Sequence, residues 1–138
     1  MSEISYLQNR ISQLEDEIRK LEKERSNGED LITDVTIKKN RNLEEMQRRR
    51  NTVRRIDDLR SSAPYAYTVI SRLLDVYNDN RGGELDSNAQ DIINKAHDRI
   101  NAINYEIQCK RDEIASCYAR IEAIRAEEER ERNEQSKA

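Results

Sequence analysis

The chain has 138 residues, with 25 Lys and Arg against 28 Asp and Glu, 35% hydrophobic residues and neither Trp nor Phe, too few large apolar side chains for a thick globular core. Its net charge of −3 gives no global attraction to nucleic acid or anionic membrane, and no apolar run approaches the ~20 residues that span a bilayer. The apolar residues it does have recur periodically, as in a coiled coil, which argues against disorder for most of the length.

Met1 to Tyr6 shows no basic stretch leading into an apolar one, so no signal peptide is visible and a cytoplasmic chain is expected. Counting in sevens from Ile4 gives Ile11, Ile18, Arg25, Ile32, Lys39, Met46 and Val53; counting from Leu7 gives Leu14, Leu21, Gly28, Val35, Asn42, Arg49 and Ile56. Ile at heptad position a and Leu at d through the first three heptads is the composition of a packed helical seam. The spacing predicts a helix over about residues 3–60. Ser26-Asn27-Gly28-Glu29 is its weak point, because Asn-Gly is a turn signal. The seam phase agrees on both sides, which favours a continuous or locally kinked helix over a chain reversal. Farther on the helix becomes basic, with Arg41, Arg48 and Arg55 at one heptad position. Such a stripe could read phosphates, but no stacking aromatics are interleaved and acids sit among the arginines, so nucleic acid is the least favoured reading.

Ser61 to Ser87 holds the single proline, Pro64, and two of the three glycines, Gly82 and Gly83. A short connecting helix is expected over about residues 64–77, carrying Tyr65, Val69, Leu73 and Tyr77 as an apolar patch that plugs the hairpin or meets a partner. Asn78 to Gly83 reads as a loop, and Ser87-Asn88-Ala89-Gln90 as a capping box that opens the next helix.

The second array has Ile93, Ile100, Ile107, Ile114 and Ile121 at a, with Ala89, Ala96, Ile103, Lys110, Cys117 and Ile124 at d. It predicts a helix over about residues 88–130 and an acidic tail, about 131–138, that frays. Lys110 is the polar exception, placed to fix register. Cys109 and Cys117 lie eight residues apart on one helix, roughly 12 Å, too far to bridge. His97 has no partners for a metal site, and no nucleophile, phosphate loop or Cys-x-x-Cys occurs. No catalytic, cofactor or metal residue is assigned, and the chain is not read as an enzyme.

Together these readings give a single all-α domain over residues 1–138, an elongated antiparallel helical hairpin or coiled coil. A second helix shorter than the first leaves Ile4, Leu7, Ile11, Leu14 and Ile18 overhanging, and these are the expected seam for a helical partner or a second copy. The stretches Ile4 to Ile18 and Ile100 to Ile107, with a Gly-containing turn between them, resemble the small helical-hairpin proteins of bacterial type VII secretion, the WXG100 group and the YwqH-like proteins encoded beside LXG toxins. The group's Trp-x-Gly turn is absent; Arg81-Gly82-Gly83 stands in its place. Its export motif, Tyr-x-x-x-Asp/Glu, is matched by Tyr118 and Glu122. The resemblance implies a small adaptor or chaperone that binds the helical targeting domain of a secreted toxin, with export without a cleaved leader as the alternative fate. A self-associating structural coiled coil is the other reading.

Overall fold

The computed structural model describes residues 2–57, Val69, Ser71, Arg72, Asp75 and residues 79–137. Two helices make the fold: α1, Glu3–Asp57, and α2, Asp79–Lys137, packed against each other as a helical hairpin with no strand among the described residues. They divide into two compact units. Unit 1 is Met1–Asn27 with Arg99–Ala138, and unit 2 is Gly28–Asp98.

α1 starts where Ser2 caps it. The Ser5 N–H donates to the Ser2 hydroxyl at 3.1 Å, the Tyr6 N–H donates to the Ser2 carbonyl at 3.1 Å, and Glu3 puts a negative charge in the first turn. The helix then runs without interruption through Ser26-Asn27-Gly28. Its threonines are accommodated by bonding back one turn: Thr33 to the Glu29 carbonyl, Thr36 to that of Ile32 and Thr52 to that of Arg48.

α2 corrects three sequence expectations. It is already helical at Asp79, so residues 79–83 of the expected Asn78–Gly83 loop are helical, and no described glycine has a positive φ. The Gln90 amide does not reach back to Ser87; it donates to Asn94 at 2.9 Å inside the helix. The tail does not fray at residue 131 but stays helical to Lys137. Alternating Glu and Arg with Ala and Gln are strong helix formers and need no seam. The expected short helix over 64–77, with Tyr65, Leu73 and Tyr77, lies outside the described residues apart from isolated positions such as Val69, which is exposed.

Glu3 pairs with Arg120, and Ile4 and Leu7 pack on the cluster of Ile11, Cys117 and Ile121, so the expected overhang disappears. In unit 1, Ile18 and Leu21 pack with Ile103 and Ile107 in one cluster, and Ile11 packs with Cys117 and Ile121 in another. Ile114 touches both clusters, and Ile4 and Leu7 close the second. Leu14, between them on the α1 seam, is fully buried.

Candidate functional site

In unit 1 the residues that precede the a-position seam residues, isoleucines except for Arg25, pair across the two helices. Arg120 grips Glu3 (3.0 and 3.4 Å), Arg10 grips Glu113 (2.9 and 3.2 Å) and Arg99 grips Glu24 (2.8 and 3.0 Å), each with two N–H donors on one carboxylate. Partner numbers fall along α2 as they rise along α1, as antiparallel packing requires. On the other flank Arg111 donates to Glu22 at 3.4 Å. One rung of this ladder would set Glu17 against Glu106, two acids. Lys110, the polar residue in the α2 seam, resolves it by donating to Glu17 at 2.9 Å, while Glu106 turns to Arg99. Arg25, polar in the α1 seam, donates to Asn104 at 2.9 Å.

These bonds move the acid–base equilibria in the direction that favours the pairs. The hydrogen bond from Lys110 holds the Glu17 carboxyl below the usual carboxylate range, and that from Arg99 does the same for Glu24. Glu113, Glu24 and Glu3 push Arg10, Arg99 and Arg120 further up.

The seam that the sequence offered to a partner is thus occupied within the chain. Ile11, Leu14 and Ile18 are buried and Ile4 and Leu7 half-buried, all facing α2 residues of unit 1. Tyr118 and Glu122 are both exposed, one turn apart on α2. Tyr105, 73% exposed, lines a shallow surface dip with Glu106, Cys109, Lys110 and Glu113. Both cysteines are free, Cys109 exposed and Cys117 buried.

Unit 2 is built differently. Its half-buried α1 positions are Ile32, Val35, Thr36, Lys39, Leu43, Met46 and Arg50, ending in buried Val53, while Asn42 and Arg49 are exposed. The heptad register read from the sequence therefore keeps its Ile32, Lys39, Met46 and Val53 series but fails at its other series beyond Val35, where Asn42 and Arg49 are exposed. The buried stripe steps four residues from Ile32 to Thr36 and continues as Lys39, Leu43, Met46, Arg50 and Val53. An inserted four-residue step is a stutter, which locally unwinds the supercoil. α2 carries a matching one, with Leu85, Ala89 and Ile93 on the stripe at successive steps of four. Lys39 pairs with Asp86 at 3.2 Å, and a methyl group on Gly82 would sit 3.7 Å from Leu43, so the two stutters lie at the same level.

The consequence is incomplete burial. Apart from Val53, Ala89 and Ile93, no described apolar residue of unit 2 is fully covered, and Leu31, Ile37 and Ile92 are 46%, 48% and 46% exposed. Leu31, Ile37 and Ile92 are exposed apolar residues that neither the heptad count nor the Ser61–Ser87 patch identified. The signal was present as the polar residues Lys39, Asn42 and Arg49 at nominal seam positions beside an off-register Leu43. Arg41, Arg48 and Arg55 are exposed on the same helix, with Glu45 bonded to Arg49 at 2.9 Å and within 4.0 Å of Arg48.

Among the described residues no group of three or more His, Cys, Asp or Glu is placed to hold a metal ion, and no helix is long and apolar enough to cross a membrane. The class defined by fold and surface is an antiparallel helical hairpin with one closed and one partly open unit. No family model, curated protein or solved structure matches the chain.

Proposed function

We propose that the chain is a non-enzymatic helical adaptor, located in the cytoplasm, that binds another helical protein along unit 2. The observation that carries this reading is the contrast between the units. In unit 1 the seam is filled and flanked by ion pairs, whereas unit 2 leaves Leu31, Ile37 and Ile92 about half exposed. A partner helix laying an apolar stripe along the Ile37 face of α1 would remove that side chain from water, the mode in which an amphipathic helix is recognised by its apolar anchors. The resemblance to type VII secretion hairpins supplies the partner class, the helical targeting domain of a secreted toxin. The exposed Tyr118 and Glu122 are accessible to an export receptor under that reading.

The test is isolation of the chain from its native source, followed by reconstitution of the complex from purified components and titration calorimetry. Ile37→Asp should weaken binding at least about tenfold, and Tyr105→Ala on unit 1 should leave it unchanged. Unchanged affinity for the Ile37 variant, or a loss confined to the Tyr105 variant, overturns the assignment.

A further inference from the structure

We propose that the partner helix on the Ile37 face of α1 is an acidic one, presenting carboxylates at heptad spacing on one side of an apolar residue. The inference rests on the adaptor reading and deepens it by giving the chemistry of the partner's contact face. Ile37, 48% exposed, shares its side of the helix with charge. Asp30 precedes it by seven residues, and Arg41, Glu44, Arg48 and Arg55 follow it by four, seven, eleven and eighteen. On a 3.6-residue helix these spacings put all five within about 40° of Ile37, and all five are exposed. The face lies on the far side of α1 from the stripe of Ile32, Lys39, Leu43 and Met46, turned away from the α2 residues of unit 2.

Charge along this face is divided. One carboxylate, Asp30, lies before Ile37, and three arginines with one glutamate lie after it. Glu44, between Arg41 and Arg48, offsets one of them. Arg48 comes only within 4.0 Å of Glu45, a carboxylate already bonded to Arg49 at 2.9 Å. Arg41 and Arg55 make no ion pair among the described residues. In a chain of net charge −3 the stretch from Ile37 to Arg55 is thus locally basic on this face. Spacing and sign together select the occupant. Arg41, Arg48 and Arg55 recur every seven residues, about 10.5 Å along the axis, the repeat with which a second helix presents one face. A helix with Glu or Asp at every seventh position meets all three while its apolar residue covers Ile37. A phosphate backbone carries one sign only, so it leaves Ile37 in water and is repelled at Glu44 and Asp30. A second copy of α1 laid antiparallel with Ile37 on Ile37 sets Glu44 against Asp30 at both ends of the contact, because each lies seven residues from Ile37.

Fluorescence anisotropy of two synthetic amphipathic peptides titrated with the full chain tests this. Both carry leucine at one heptad position; at an adjoining position one has Glu and the other Lys in three successive heptads. The chain should bind the Glu peptide at least about tenfold more tightly than the Lys peptide, and added salt should weaken the Glu complex. Changing Arg41, Arg48 and Arg55 together to Gln should abolish the preference, and changing them to Glu should reverse it, with helicity by circular dichroism retained. No binding of the Glu peptide, equal affinity for the two peptides, or a preference indifferent to the arginine changes overturns the proposal. So does duplex DNA bound more tightly than the Glu peptide at physiological salt, or dimerisation of the chain alone that Ile37→Asp abolishes. The two readings fail separately in the reconstituted complex. An Ile37→Asp change without effect removes the adaptor site, whereas binding lost with Ile37→Asp but indifferent to the arginine changes removes only the acidic partner.

Discussion

Leu14→Ala tests whether the N-terminal seam is core. Leu14 has 0% of its surface exposed and lies between the Ile18–Ile103 and Ile11–Cys117 clusters. Truncating a fully buried leucine removes its transfer free energy and leaves a cavity, together 2–5 kcal/mol in well-packed proteins. A two-helix seam can close part of the gap, so about 3 kcal/mol is expected here. Unit 1 contains its own reporter: Cys117 is buried in the cluster that Ile11 closes, while Cys109 is exposed. Under native conditions a thiol reagent should label Cys109 at once and Cys117 only when unit 1 opens. A loss of about 3 kcal/mol multiplies the open population, and hence the Cys117 rate, on the order of 10²-fold when reclosing outpaces labelling. Leu31→Ala, in unit 2 and half exposed, should leave that rate nearly unchanged. Less than about tenfold acceleration for Leu14→Ala, or equal acceleration for Leu31→Ala, would refute the reasoning.

The stutter predicts that Leu43→Ala destabilises the chain by about 1–2 kcal/mol in urea titrations, while Asn42→Ala is neutral or stabilising by up to about 0.5 kcal/mol. An unbroken heptad would make position 42, not 43, the sensitive one. Gly83→Ala should stabilise by up to about 1 kcal/mol in the same titration, because Gly83 is helical, lacks a positive φ and has open space where a Cβ would point. Glu17 and Glu24 have depressed folded-state pKa values, caused first by hydrogen bonds from Lys110 and Arg99. Their contribution is therefore complete above the unfolded carboxylate pKa of about 4.3 and is lost as pH falls through the folded values. Cys117 labelling is too slow at such pH, so urea midpoints at neutral pH and near pH 3 make the comparison, and Glu24→Gln should flatten the acid loss.

The helices and the hairpin were legible because apolar residues repeat every three or four positions from Ile4 to Leu21 and, Lys110 excepted, from Ile93 to Ile124. The start of α2 was not, because Gly82-Gly83 and Ser87-x-x-Gln90 are local signals that tertiary packing overrides. Each glycine costs roughly 1 kcal/mol in a helix, which the approach of Leu43 to Gly82 helps to offset. Missing the nine helical residues 79–87 at one end and the helical tail at the other produced the false overhang, and with it the assignment of Ile4 to Ile18 to a partner. Lys110 was legible as an exception but not as a solution. Its purpose depends on Glu17 facing Glu106, a juxtaposition that exists only once the register is known.

The two units use one helical periodicity in opposite ways. Where the heptad holds, the seam receives Ile and Leu from α1 and Ile and Cys from α2, and the flanking positions become bidentate ion pairs. Exposed pairs of this kind contribute little to stability, but they penalise wrong registers through like-charge contacts. Where the stutter intervenes, the stripe passes through Thr36, Lys39 and Arg50 on α1 and through Gly82 and Ala89 on α2, residues that are polar or too small to fill it. A coiled coil selected only for its own stability would place its apolar residues on that stripe. This chain puts Leu31 and Ile92 beside it, in the positions that carry charge elsewhere. Burying an aliphatic side chain is worth about 1.5–3 kcal/mol, so each of the two left half in water forgoes part of that energy within the hairpin.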